Sequence, residues 1–342
     1  MNWRDKLRGS PAVPEPEAPE KPLLVSERKE LEALRRAQEI WQEVSNARFT
    51  PRPVPVEVHT AASPGYPMTI WSDWHWGEVV NLEETAGKNE FNHDIAVARV
   101  DNLVNNTINL LANYGGMNPS YPGMTICLGG DMISGLIHDE LVETNWAPVG
   151  GQLFQVHEVL SGALLRMADV FGSIHVPCVV GNHGRNAKRP RAKVRIRENS
   201  EYWLYKALEK HFVNDSRFRF EVAEQTDIAI PVYNHQFLLT HGDALGTNGG
   251  DGIIGAIGPI KRGTVKIGNS QDRADKFDTM IVGHWHTAQP RGDLFPCIVN
   301  GSLKGYDEYA RAFLRASPSR PSQQLWLVSP KHGVAAQWPV YL

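Results

Sequence analysis

Five short apolar runs in this chain each break off into a cluster of Asp, Asn or His, and that repetition limits the folds open to it. Residues 68–71 (MTIW) lead into Ser72, Asp73, Trp74 and His75; 124–128 (MTICL) into Gly129, Gly130 and Asp131; 174–180 (IHVPCVV) into Gly181, Asn182 and His183. Residues 237–240 (FLLT) lead into His241, Gly242 and Asp243, and 279–282 (TMIV) into Gly283, His284, Trp285 and His286. Short apolar runs bounded by turn formers read as buried strands. Between the first three runs the spacing changes to a helical period: Ala96, Val100, Leu103, Val104, Leu110 and Leu111 mark one helix, and Leu153, Val156, Leu160, Leu164, Met167 and Phe171 a second. Strand, helix, strand, helix, strand implies parallel pairing with helical crossovers.

A further helix is expected around 199–212 with Trp203, Leu204, Ala207 and Leu208 inward, after which strand-like runs dominate to the C-terminus. The expected fold class is α/β: a two-sheet β-sandwich core flanked by helices, filling 66–342 as one domain with no linker inside it. Residues 1–22, rich in Pro and Glu, read as a flexible tail. Residues 23–65 read as a charged helix over 24–47, with Leu31, Leu34, Trp41 and Val44 on one stripe, followed by a stiff linker at Pro51, Pro53 and Pro55. That helix is expected to dock on the domain; a protein partner or oligomer contact is the alternative.

Composition removes whole classes. No apolar run approaches the roughly 18 residues that crossing a bilayer takes, so no membrane association is expected. The first twenty-odd residues lack the apolar centre of a secretory signal, so a cytoplasmic location is expected. Lys plus Arg number 35 against 38 Asp plus Glu, a net charge of −3, so any affinity for a polyanion must be local. Cys127, Cys178 and Cys297 lie within apolar runs rather than in paired motifs and read as buried free thiols.

Ligands in α/β sheets gather at the carboxyl ends of strands, so the five clusters can converge on one crevice. Asp73 and His75 stand at i and i+2, as do His284 and His286; in extended backbone each pair would face one side. Imidazole, carboxylate and amide oxygen with no thiolate suit Mn²⁺, Fe or Zn²⁺ and argue against a structural cysteine site.

The ordered series D-x-H, G-D, G-N-H, His and G-H-x-H closely resembles the signature of the calcineurin-like metallophosphoesterase superfamily, over about 66–305. The resemblance implies a four-layer α/β/β/α fold and two divalent cations, Mn most of all with Fe or Zn as alternatives. One would be held by Asp73, His75, Asp131 and His286, the other by Asp131, Asn182, His241 and His284. It implies phosphoester hydrolysis by metal-activated hydroxide, with Asp131 bridging the metals and His183 as the catalytic donor beside the phosphate. Asn300, Gly301 and Ser302 resemble the turn that follows the last motif strand. The chain departs from the pattern after G-N-H: Gly184 stands where many relatives carry an acid. The partner that orients His183 must therefore come from elsewhere, with Asp139, Glu140 and Asp243 as candidates.

From Arg185 to Arg197 there are seven basic residues and no acid: Arg185, Lys188, Arg189, Arg191, Lys193, Arg195 and Arg197. Next to the catalytic motif, such a run fits phosphate-backbone contacts, and Arg185, Lys188, Arg189 and Arg191, with His138, are the expected substrate-binding residues. Trp74, Trp76 and Trp285 could stack on bases or pack around the metals. Residues 242–270 hold nine glycines and read as a long loop, a lid or substrate guide. The expected function is thus a phosphodiesterase or nuclease acting on nucleic acid, similar to the superfamily's DNA-repair branch or to stand-alone phage and prophage members. The alternatives are a phosphatase or phosphodiesterase for small nucleotides or phosphoproteins, and a non-catalytic scaffold, which would have no need of the full ligand set.

Overall fold

The computed structural model describes residues 25–46, 65–114, 120–245, 257–270, 276–293 and 296–342. The tail at 1–22 and the Pro linker lie outside these residues. The chain divides into two units, Met1–Val58 and His59–Leu342. The described part of the first is a single helix, α1 (Val25–Asn46), along which Leu31 and Leu34 are exposed.

The second unit carries two sheets. The larger has strand order β10-β9-β1-β2-β3-β4, formed by β1 (Tyr66–Trp71), β2 (Met124–Leu128), β3 (Ile174–Cys178), β4 (Phe218–Val222), β9 (Ser322–Ser329) and β10 (Gly333–Tyr341). Strands β1 to β4 are mutually parallel, with β9 and β10 added antiparallel on the β1 side. The expected crossovers are present as α2 (His93–Tyr114) and α4 (Val149–Phe171), the latter preceded by the short α3 (Leu141–Thr144). The smaller sheet runs β5 (Asp227–Val232), β6 (His235–Thr240), β7 (Thr279–Val282), β8 (Cys297–Val299), with β6, β7 and β8 parallel.

Strand alternation sorts the side chains into layers. On β2, Met124, Ile126 and Leu128 face a core shared with α2, α4 and α5 (Ser200–His211), while Cys127 joins Met68, Ile70, Phe237, Leu239, Ile281 and Trp326 between the sheets. On the outer face of the smaller sheet, Met280, Val282, Cys297 and Val299 pack with Ile260 of α6 (Ile257–Ser270). The fold is therefore α/β, two sheets flanked by helices. All three cysteines are buried and free, and burial drives their thiols upward, away from thiolate.

Two expectations need correction. The stretch 242–270 is not one long loop: 257–270 is α6, held by its apolar face against β7 and β8, and 246–256 lies outside the described residues. Trp203 and Ala207 of α5 point outward; the buried face is Glu201, Tyr202, Leu204, Tyr205 and Leu208. Of the two readings open for Trp74 and Trp76, packing is the one the structure bears out: both are fully buried in the helix-side core and offer no face for a base. Among the described residues, no helix is long and apolar enough to cross a membrane.

Candidate metal centre

Each of the five clusters begins just past the end of its strand, and because β1, β2 and β3 are parallel, as are β6 and β7, all five gather at one end of the paired sheets. The backbone does not stay extended there. Asp73, His75, Asp131, His284 and His286 have φ of 56°, 48°, 51°, 66° and 53°, so the i, i+2 pairs converge through left-handed turns rather than by strand pleating. A non-glycine residue in that region costs roughly 1–2 kcal/mol. Five at one site mark strain that the surrounding bonds must hold in place.

Three overlapping sets, each with its ligand atoms within 4.8 Å of one another, result: Asp73, His75 and His286; His75, Asp131 and His183; and Asp131, His241 and His284. His75 Nε2 and His286 Nε2 face each other at 2.9 Å, and His286 Nε2 lies 3.3 Å from Asp73 Oδ1. On the other side His241 Nε2 lies 3.0 Å from Asp131 Oδ2 and 3.1 Å from the Asn182 side-chain oxygen. The structure thus brings together all seven residues expected as metal ligands, with His183 beside them.

Supporting bonds aim these atoms. His241 donates its Nδ1 proton to Gly129 O at 2.8 Å, which turns Nε2 toward Asp131 and Asn182. Asp73 accepts the Ser72 hydroxyl on Oδ2 and the His284 backbone N–H on Oδ1 at 2.8 Å. Ser72 in turn accepts from Asn300 at 2.8 Å, and its N–H goes to Gln323 at 2.9 Å. Ser302 Oγ donates to Asp73 O at 2.8 Å, so the 300–302 turn props up the first ligand. Behind His75, Lys304 is buried between Glu78 at 2.7 Å and Asp307 at 2.5 Å, and Glu78 stands 3.6 Å from His75 Nδ1.

The residues fit a cation. Burial works against charge on Asp131 and His241, yet the two histidines His241 and His183 hold the Asp131 carboxyl well below its usual range. Asp131, with Asp73 and Asp243 behind it, lifts His241 against its burial to about 10. In the pair with Asp131, His241 Nε2 thus carries a proton, which a bound cation would replace. His284 is driven the other way, to about 4, first by burial and then by His241. Neutral imidazole beside ionised carboxylate is the state in which both are ligands.

His183 is oriented by none of the acids expected. Asp139 pairs with Lys188 at 2.6 Å and Asp243 with Arg195 at 2.6 Å. Glu140 instead begins α3, where its carbonyl accepts from Thr144. His183 donates Nδ1–H to the backbone oxygen of Ser134 at 2.7 Å, and its own backbone N–H bonds Asp131 Oδ1 at 2.7 Å. His138 is exposed, its ring 5.6 Å from that of His183.

The basic stretch is less free than its sequence suggests. Arg185 spends its guanidinium on the backbone oxygens of Asn182, Ala187 and Lys188, bracing its own loop. Lys188 pairs with Asp139, Arg191 with Glu198, Arg195 with Asp243 and Arg197 with Glu224. The acids come from outside the 185–197 window, which is why the sequence shows an unbroken basic run. Arg189 and Lys193 are exposed and make no such pair among the described residues. The space under the arginines is only about 30 Å³, room for a water or two. A larger cavity of about 340 Å³ opens beside His183, lined by Ile133, Leu136, Ile137 and Val149 and also by Arg185 and Lys188 of the basic stretch.

Glu201, Ser134, Asn199 and Glu78 support the site and were not anticipated. Glu201 follows Asn199, whose side chain caps α5 by accepting from the Glu201 N–H at 2.9 Å. Asn followed by an acid in the first turn is the ordinary signature of a helix start, and nothing in it signals a role at the site.

No protein-family model matches the chain, and no curated protein matches it. Among solved structures it is similar to a candidate 5'-nucleotidase from Staphylococcus aureus, solved in complex with alpha-ketoglutarate, at 10% identity and a TM-score of 0.31. The match covers 81% of this chain and 55% of that one, so the chain spans about half the length of that protein. A likeness at that level decides neither fold nor activity.

Proposed function

We propose that this chain is a two-metal phosphoester hydrolase of the calcineurin-like metallophosphoesterase kind, acting on compact phosphoesters. The observation that supports it best is Asp131, one buried carboxylate within ligand reach of histidines on both sides. Asp73, His75, Asp131 and His286 would hold one cation and Asp131, Asn182, His241 and His284 the other; Mn²⁺ is the metal proposed, and Fe or Zn²⁺ suit the same donors. When bound, such a pair would supply Lewis acidity to the phosphate oxygens and lower the pKa of a bound water.

The chain's own residues do the rest. The left-handed turns at 73–75 and 284–286 present the ligands, and the Ser72, Asn300 and Gln323 network keeps Asp73 from turning away. His183, with Nδ1 committed to Ser134, meets the substrate through Nε2. Burial holds its pKa down to about 4, so the ring is neutral in the empty site, and a phosphate's negative charge would favour Nε2 taking a proton from solvent. In that form it is a donor for the departing oxygen. The cavity beside it suits an ester group of modest size, since ligand pockets start at about 300 Å³.

Nucleic acid as substrate is the narrower reading, and what supports it is the exposed Arg189 and Lys193, which the acids around the basic stretch leave uncompensated. The experiment incubates the full chain and Mn²⁺ with a nitrophenyl phosphodiester, a nitrophenyl phosphomonoester, and end-labelled single- and double-stranded DNA, with Asp131→Asn alongside. Turnover of the small esters that disappears in Asp131→Asn supports the reading. DNA cleavage abolished in the same variant moves the substrate to nucleic acid. No metal-dependent hydrolysis of any of the four overturns the reading.

A further inference from the structure

We propose that Glu201 is the positioning residue of this centre: its carboxylate clasps the loop after β2 to the loop after β3 and thereby sets Asp131 against Asn182 and His183. The proposal rests on the two-metal reading of the site. Glu201 is fully buried, at 0% exposure, with no cationic side chain paired to it among the described residues. Its oxygens instead accept four backbone N–H groups: Met132 at 2.6 Å, Gly181 at 2.7 Å, Asp131 at 3.2 Å and Ile133 at 3.3 Å. Three belong to the loop that carries Asp131 and one to the loop that carries Asn182 and His183. Buried carboxylates are tolerated when several donors face the charge. Here the donors are the backbone of the two ligand loops themselves.

The fit around Glu201 is close. A β-carbon placed on Gly184 would collide with Asn199 Oδ1 and lie 2.6 Å from Glu201 Cγ, so the Asn199 and Glu201 side chains together occupy the space a side chain at 184 would take. One placed on Gly181 would collide with the backbone nitrogen and the carboxylate of Asp131. Asn199 adds a second tie, donating to Gly181 O at 2.8 Å, and Ser200 N–H bonds Gly184 O at 2.8 Å. The first turn of α5 is thus built into the ligand loops. Glu201 does not itself reach the substrate side; it acts through the backbone of residues that do.

The test compares Glu201→Gln with wild type and with Leu204→Ala, which opens a cavity on the same buried helix face but removes none of the hydrogen bonds that tie α5 to the loops. The readouts are Mn²⁺ affinity by titration, amide exchange at Met132 and Gly181, and the split between kcat and KM on a small ester. Glu201→Gln is expected to weaken Mn²⁺ binding about 10–100-fold, speed exchange at both amides, and lower kcat with little change in KM. Leu204→Ala is expected to lower the melting temperature while leaving Mn²⁺ affinity at the wild-type value. If Glu201→Gln does not fold, Glu201→Asp, one methylene short with its charge retained, carries the same expectation in smaller measure. A folded Glu201→Gln or Glu201→Asp with wild-type Mn²⁺ affinity and kcat overturns the proposal, as does equal loss of affinity in Leu204→Ala. Mn²⁺ affinity and amide exchange are read without substrate. Failure to hydrolyse any ester would therefore sink the hydrolase reading and leave Glu201 still on trial.

Discussion

Ser134 serves His183 through its backbone oxygen, while its own hydroxyl is buried with no partner among the described residues. Removing that hydroxyl relieves a desolvated group, whose burial costs on the order of 1–3 kcal/mol, and leaves the carbonyl in place. Ser134→Ala is therefore expected to retain wild-type kcat with a melting temperature no lower, read by steady-state kinetics and thermal unfolding. A large loss of kcat would show that the side chain, not the backbone, does the orienting. His183→Ala should behave differently, with metal content unchanged by elemental analysis and kcat down by roughly 10²–10⁴. Loss of metal in that variant would make His183 a ligand rather than a donor. The seven residues expected as ligands were legible as a set because the order D-x-H, G-D, G-N-H, His and G-H-x-H resembles a known signature, and the structure gathers them in one place. Ser134 was not, since a backbone acceptor leaves no trace in residue identity. Glu201 was missed for a related reason: sorting α5 by hydrophobicity placed Trp203 inward and passed over a charged residue on the buried face.

At the level of elements, helix and strand order could be read from periodicity alone, because β1 to β3 alternate with long amphipathic crossovers. Where the chain obeys longer-range pairing the sequence was silent. The basic stretch 185–197 looks like one electrostatic feature, yet four of its cations answer acids on other elements or beyond its end. The exposed pairs among them, Arg195 with Asp243 being half-buried, contribute little stability, but all four spend charge that a polyanion would need. Neutralising Arg189 and Lys193 together is expected to leave small-ester turnover unchanged. If DNA binds through them, the salt slope of binding should fall by about 2, one for each phosphate that is no longer neutralised; an unchanged slope removes this arm from any nucleic-acid interface. The segment that carries Lys304 and Asp307 makes a separate prediction. Burial pushes the Asp307 carboxyl up, but Lys304 outweighs it and holds the group below its usual range. A depressed carboxyl adds stability above its unfolded value of about 3.9 and loses it as pH falls through the folded one. Asp307→Asn, which retains an oxygen to cap α7 (Glu308–Ala312) at Ala310, should melt lower than wild type at pH 7. The gap should begin to narrow below about pH 4 and close once the pH lies under the folded value. A gap that persists there would mean that the loss is not one of charge.

Across the molecule, two sheets deliver five strand ends to one place, and the ligands reach it from β1, β2, β3, β6 and β7. Neither sheet alone carries a complete set: Asp73, His75, Asp131 and Asn182 follow strands of the larger, and His241, His284 and His286 follow strands of the smaller. Packing of Met68, Ile70 and Cys127 against Phe237, Leu239 and Ile281 is what aligns the two halves, so the inter-sheet core is part of the site's machinery. The direct measurement is a count of Mn²⁺ bound per chain by calorimetric titration of metal-free protein, for wild type and for Asp131→Asn. Two ions per wild-type chain, with at least one site lost in Asp131→Asn, is the predicted result. One ion or none in the wild type, or two retained without the Asp131 carboxylate, would contradict a centre built around a shared aspartate.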